Sequence, residues 1–427
     1  MKLLKNVRVT YGEAQQKSDP LWTMMPKKNI HYSTIAINFR TLYGKLFASL
    51  YKQFNTIPVY YIEEAIQNAF YKALKSWKHN AIPKQPENWF FIVAKNDLLN
   101  QLKKTTYAIA DKTLSTDTEQ EIETTKDLRL ETLLYFASLP FISPESKLLF
   151  ILKNLFGLHV KEISSCTLIE QETIYKRISR TKKKIQQQKL QNPLTVVRLT
   201  PETLAVTEEI LYAVFNLGFD SIHEKNEELV NEDICLDAMA LLKKLLEKTK
   251  ETSTRNLFSL FCFHIARLQT KQANNIPIPF FKQERSQWDQ RFIHLGFQYL
   301  NKPQKLTKFY IEAVMISNHM TTPRFDHAYW EDITYYYRLL TDITTSPIPK
   351  INLCYCLHKI NKTEEAIQIL NNIKHQLPEN HLYYTLVYAE LVKDTSPKTT
   401  SSLLDTLLET LPQSFRKKYI LEQLLSE

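Results

Sequence analysis

The stretch that decides the fold runs from residue 157 to residue 185: Gly157-Leu158-His159-Val160-Lys161-Glu162-Ile163-Ser164-Ser165-Cys166-Thr167-Leu168-Ile169-Glu170-Gln171-Glu172-Thr173-Ile174-Tyr175-Lys176-Arg177-Ile178-Ser179-Arg180-Thr181-Lys182-Lys183-Lys184-Ile185. Leu158, Val160 and Ile163 form a short apolar face, residues 166–169 interrupt it, and Ile174, Ile178 and Ile185 recur at helical spacing. This is a helix-turn-helix pattern, whose second helix lies in the major groove with its early residues at base edges. Gln171, Glu172, Thr173, Lys176 and Arg177 are placed for that groove. From His159 to Leu190 eight Lys and Arg residues stand against three Glu, a net charge of about +5 that predicts strongly salt-dependent DNA binding through counterion release. A helical hairpin with a solvated basic end would share the same pattern.

Outward from this stretch, the 427-residue chain has room for about two to four domains, and 44% apolar residues are ample for buried cores. Lys and Arg number 55 against 45 Asp and Glu, and the net charge of +10 favours a polyanionic partner. The five glycines, at positions 12, 44, 157, 218 and 296, are too scattered to write a phosphate-cradling loop. Cysteines 166, 235, 262, 354 and 356 form no CxxC pair, so free buried thiols in a reducing compartment are the better reading than metal ligands. With no metal-ligand spacing, phosphate loop or nucleophile motif, neither catalysis nor a cofactor is expected. No apolar run reaches the length of a membrane span and no signal-peptide core opens the chain, which points to the cytoplasm and to no membrane partner.

Taken in order, residues 1–30 are irregular, and a helix is expected over 35–54 from Phe39, Leu42, Leu46, Phe47 and Leu50. A second is expected over 61–77, with the stripe Ile62, Ala65, Ile66, Ala69, Phe70, Ala73, Leu74 and Trp77, and with Glu63, Glu64 and Gln67 on its amino-terminal edge. A loop holding Lys84 leads to a third, over 89–104, in which Trp89 to Val93 are followed by Lys95, Asn96, Lys103 and Lys104. Aromatics beside basic residues suit stacking and tracking of a single strand, and equally suit a core with Lys on its rim. Residues 107–125 are polar and read as a flexible linker reaching about 60 Å when extended. Helices over 127–138 and 147–156, the latter started by Ser143-Pro144-Glu145, lead into the opening motif. The remainder, from Pro201 on, is helical throughout, and residues 350–392 suggest helix pairs at a period of about 30.

The order of these parts resembles the extracytoplasmic-function type of sigma factor of bacterial RNA polymerase. Ile62-Glu63-Glu64-Ala65-Ile66-Gln67-Asn68-Ala69-Phe70 looks like the family's polymerase-clamp helix, residues 86–96 like its −10-reading segment, and residues 170–182 like its −35-reading helix. The carboxyl-terminal half is similar to the extension of a long subgroup with tetratricopeptide-like pairs, through Phe215-Asn216-Leu217-Gly218-Phe219 and Glu284-Arg285-Ser286-Gln287-Trp288-Asp289. Three departures stand out: Leu217 replaces a usual acidic residue, Leu168 takes a turn position often held by Gly, and residues 100–104 lack the usual Asp and Arg. Lys cannot reproduce a bidentate Arg, so the last departure bears on −10 contacts.

The resemblance implies an all-α chain of two small domains, 30–106 and 126–192, joined by the linker and followed by a large helical extension over 195–427, tetratricopeptide-like near 301–395. It implies core RNA polymerase and promoter DNA as partners. Glu63, Glu64 and Gln67 would face the polymerase clamp, and Lys84, Trp89, Lys95, Asn96, Lys103 and Lys104 would hold the opened −10 strand. Gln171, Glu172, Thr173, Lys176 and Arg177 would read the −35 element, with Arg180, Lys182, Lys183 and Lys184 on phosphates. The extension would regulate promoter access, alone or with a protein partner. Two rival readings are a free-standing helix-turn-helix regulator, which needs no clamp helix, and a helical scaffold that binds only proteins.

Overall fold

In the computed structural model the described residues are 34–77, 83–104, 127–189, 199–220, 229–273, 276–411 and 413–423. They form eighteen α-helices and one two-stranded antiparallel ribbon, Gln272–Ala273 with Ile276–Pro277. The all-α expectation is met. By contacts the chain divides into Met1–Asn38 and a second unit, Phe39–Glu427, and the packing described below is that of the second. The linker expected over 107–125 lies outside the described residues.

The first three helices are α1 (Thr34–Gln53), α2 (Val59–Ser76) and α3 (Pro86–Lys104). α2 buries Val59, Ile62, Ala65, Ile66, Ala69, Phe70 and Ala73, the three-and-four spacing of one face. Leu74 breaks the expected stripe: it is 73% exposed, one residue past Ala73 and therefore about 100° around the helix from the buried face. Trp77, just past the helix end, is buried against Trp89 and Phe90, with both pairs of rings 5.0 Å apart. α3 begins at Pro86 because a proline there costs no intrahelical hydrogen bond.

The helix-turn-helix region holds α4 (Arg129–Ser138), α5 (Pro144–Asn154), α6 (Val160–Thr167) and α7 (Gln171–Lys189). α5 starts where the sequence signals it: Ser143 accepts from the Ser146 amide at 3.4 Å, and Pro144 is the first helical residue. Past its end Gly157 takes φ +61°, and the Leu158 amide reaches back to the Leu152 carbonyl at 3.1 Å. α6 opens with a reciprocal cap in which Glu162 Oε2 accepts from the His159 amide at 2.7 Å. It ends at Leu168, in the left-handed region at φ 59° and ψ 21°. A side chain there costs of order 1 kcal/mol, the physical meaning of Leu168 standing where Gly would be expected.

The tail contains α8 (Pro201–Phe219), α9 (Glu232–Lys248), α10 (Thr252–Ala266), α11 (Gln290–Tyr299), α12 (Lys308–Thr321), α13 (His327–Ile343), α14 (Ile348–Lys359), α15 (Thr363–Ile373), α16 (Leu382–Val392), α17 (Pro397–Thr410) and α18 (Ser414–Gln423). Successive helices from α12 to α17 pack as neighbours. Their core joins Ile311, Trp330, Ile351, Leu357, Leu370 and Leu391 in one apolar cluster. Asp220, at the end of α8, ties α16 and α18 to it: its carboxylate accepts from the Arg416 guanidinium at 2.8 Å and from the Tyr383 hydroxyl. Burial alone would raise the Asp220 carboxyl, but the charges of Arg416 and Lys271 outweigh burial and hold it below the usual carboxylate range.

Candidate functional site

α7 projects the basic run. Gln171, Glu172 and Lys176 are exposed in its first turns, and Thr173 is half-buried. Lys176 pairs with Glu172 one turn earlier at 2.7 Å, and Arg177 pairs with Glu145 at the start of α5. Arg180, Lys183 and Lys184 are exposed. Arg177, Arg180 and Lys184 converge on a hollow of about 310 Å³ whose opposite wall is the α5 amino-terminus, with Ser143, Glu145 and Ser146. Three cationic side chains next to the positive end of a helix favour an anion such as a backbone phosphate. Glu145 is the one carboxylate lining it and is already matched by Arg177.

Lys182 points elsewhere. It donates to Glu63 Oε2 at 2.5 Å, so the structure brings together two residues that the sequence reading assigned to different partners. Beside it the Gln186 amide donates to the Thr56 carbonyl at 3.3 Å. Glu64 and Gln67, on the same helix as Glu63, remain exposed. A second link joins α1 to α6, where the Arg40 guanidinium bonds Glu162, the residue that caps α6. The helix proposed for the clamp and the basic helix therefore lie against one another.

The residues expected at the −10 strand divide. Phe90 and Phe91 are core residues, 1% and 3% exposed. Trp89 is half-buried, edge-on to Phe90 with ring centres 5.3 Å apart. Lys84, Asn96 and Lys103 are exposed, Lys95 is half-buried, and Lys104 is the last residue of α3. Asp97, between them, accepts from Asn68 at 2.8 Å, Gln101 at 2.8 Å and Lys72 at 3.2 Å. Burial would raise its carboxyl, and these donors together pull it below its ordinary range.

A third set of residues escaped the sequence reading. Arg129, only 3% exposed, donates to Asp127 Oδ2 and to Asp237 Oδ1, each at 2.8 Å. Asp237 belongs to α9, so a buried ion triad ties the helix-turn-helix region to the tail. Lys244 of α9 adds a 3.5 Å contact to Asp127. α8 packs against α4, α5 and α6. Arg129 and Asp237 lie 108 residues apart, and no local spacing signals that they meet.

Residues 204–304, from α8 to just past α11, match a family of unknown function, DUF6596. The chain is also 24% identical over 348 residues to an uncharacterized protein of Rhizobium meliloti (strain 1021), covering 78% of this chain and 81% of that protein. No solved structure matches the chain.

Proposed function

We propose that this protein is a sigma factor that binds core RNA polymerase in the cytoplasm, directs initiation at specific promoters, and is held in check by its own carboxyl-terminal extension. The observation that carries the reading is the basic hollow on α7. Arg177, Arg180 and Lys184 gather at the α5 amino-terminus, in the place where a helix-turn-helix would grip a phosphate while Gln171, Glu172, Thr173 and Lys176 face bases. The exposed Glu64 and Gln67 on α2 fit a basic clamp surface, and Lys84, Trp89, Lys95, Asn96 and Lys103 lie along or just before α3 for an opened strand.

The regulatory part rests on occlusion. Glu63 is spent on Lys182, and the Arg129 triad with the α8 packing fastens the reading domain to the extension. The helix assigned to the polymerase clamp and the helix assigned to the −35 element are closed on each other, so activity requires opening. The pairs α14–α15 and α16–α17 read as tetratricopeptide-like, and such pairs build surfaces for the protein partner that would release the closed form.

The test is retention of core RNA polymerase by the purified full chain, followed by run-off transcription on genomic fragments, for wild type and for Asp237→Ala, which removes the extension's hold on Arg129. New start sites with either chain, stronger for the substituted one, support the reading. Promoter-independent DNA binding without polymerase retention points to a free-standing regulator, and loss of neither activity on neutralising Arg177, Arg180 and Lys184 points to a protein-binding scaffold.

A further inference from the structure

Where the tail meets the helix-turn-helix lies a second hollow, of about 340 Å³, within the size range of small-molecule sites. Glu312 enters it from α12, Tyr212 from α8 and Tyr337 from α13, and Cys166 of α6 lines it from the other side, two residues before the Leu168 turn. Among the described residues Tyr212 is the one hydrogen-bond donor to Glu312, through Oε2 at 2.8 Å. The carboxyl keeps acceptor capacity for a ligand.

The other charged and titratable groups around Glu312 do not neutralise it. Lys308, on α12, is committed to Glu209 of α8 and lies over the Tyr212 ring at 4.5 Å. His264, from α10, accepts from Arg267 at 3.3 Å through Nδ1, which assigns the proton to its other ring nitrogen. Burial, followed by the charge of Arg267, pushes both His264 and His319 down, the latter to about 3, so both imidazoles are neutral at physiological pH. Burial likewise pushes the phenols of Tyr212 and Tyr337 up and keeps them protonated. The hollow therefore offers one carboxyl, two phenols, the Lys308 ammonium already held by Glu209, and neutral hydrogen-bonding groups, among them Asn352 and Ser346. An apolar guest would leave these groups unpaired, and an anion would meet the carboxyl. A cation beside the acid and over the Tyr337 ring gains from both.

We propose that this hollow binds a small organic cation, an ammonium or amidinium group on a compact body, with Glu312 as its counter-ion, held in place by Tyr212, and Tyr337 as its aromatic wall. Burial raises the Glu312 carboxyl, against the nearby Lys308 charge and the Tyr212 bond, to about 7. Uptake of a permanent cation below that pH displaces a proton from Glu312, so affinity rises with pH and levels off above it. The site goes beyond the promoter reading, and no arm of its test involves DNA.

The experiment is calorimetric titration and thermal shift on the full chain with benzamidine, its neutral counterpart benzamide, and benzoate, at pH 6 and pH 8. Benzamidine is expected to bind saturably, at least about tenfold tighter than benzamide or benzoate, the order of one desolvated ion pair, and tighter at pH 8. Glu312→Gln should lower benzamidine to the benzamide level, and Ser346→Trp, which puts a large side chain into the lining of the hollow, should abolish binding while the circular dichroism spectrum is kept. Should Glu312→Gln fail to fold, the wild-type ratio and the Ser346→Trp variant decide. No saturable benzamidine binding up to millimolar concentrations, equal binding of benzamide, or wild-type binding by folded Glu312→Gln would each overturn the proposal.

Discussion

Lys182 on α7 donates to Glu63 on α2 across 2.5 Å, joining helices 119 residues apart in sequence. The side chains are 26% and 13% exposed, so the pair is worth about 1 kcal/mol, near the top of the range for accessible pairs. Lys182→Glu places two carboxylates together and is expected to open the contact, read as faster amide exchange in both α2 and α7. The double variant Glu63→Lys with Lys182→Glu should restore protection. Unchanged exchange in the single variant would mean that the ion pair does not hold the two helices together.

Gly44 permits a close approach of α1 to the helix-turn-helix region. A Cβ there would lie 1.8 Å from the Leu155 carbonyl oxygen and 3.0 Å from Arg129 Cδ. The obstacle is backbone, which no rotamer change relieves, so Gly44→Ala is expected to cost at least the 1–3 kcal/mol or so of an overpacked core. Denaturant unfolding measures it, and a cost below about 0.5 kcal/mol would contradict the packing of α1 on Leu155.

Arg129 is buried between Asp127 and Asp237. Removing the cation strands two carboxylates, so Arg129→Ala should destabilise by about 3–5 kcal/mol. The pH dependence has a definite sign. Burial would raise the Asp127 carboxyl, but Arg129 overrides it and holds the group well below its ordinary range. A depressed folded-state carboxyl contributes stability above the unfolded pKa, near 3.9, and loses it as pH falls through the folded value. The wild-type acid transition should therefore be steeper than that of Arg129→Met, as followed by fluorescence below about pH 4.

Glu312 acts in the opposite direction. Its carboxyl is raised to about 7 in the folded chain, so the folded state holds a proton that the unfolded state releases. That contribution is complete below the unfolded pKa, near 4.3, and is lost as pH rises through about 7, with an upper bound of about 4 kcal/mol. The neutral histidines His264 and His319 add a contribution of the other sign at lower pH. The difference between Glu312→Gln and wild type cancels it. The melting temperature of Glu312→Gln is expected to gain on wild type between pH 5 and pH 8, and a constant difference would remove Glu312 from that role.

Arg180 and Lys183 are exposed on α7. If they meet phosphates, replacing either by Ala should weaken binding to all duplexes alike and reduce the slope of log K against log salt by about 0.9 per contact. Gln171→Ala should instead change preference among sequences. A change of sequence preference on losing Lys183 would reverse these assignments.

The local chemistry of the chain was legible. Ser143 with Pro144 marks a helix start, the isoleucine spacing in α7 marks a buried face, and Ile174 and Ile185 are indeed 0% and 1% exposed; each is set by neighbours within a turn or two. Leu74 shows the limit, since a stripe of apolar letters does not say where the covering helix ends. The aromatic cluster of α3 was likewise ambiguous, because Phe90 and Trp89 have the same letter class and only packing sends one inside and leaves the other at the rim.

By itself the sequence determined an all-helical chain with a basic helix after a tight turn, because helical periodicity, caps and net charge are properties of adjacent residues. The tertiary structure decided which charges are available. It spent Lys182 on Glu63, buried Arg129 between Asp127 and Asp237, and left Arg177, Arg180 and Lys184 around one hollow. Such pairings depend on which helix faces meet across a hundred or more residues, and the strength of each depends on how much water the meeting excludes.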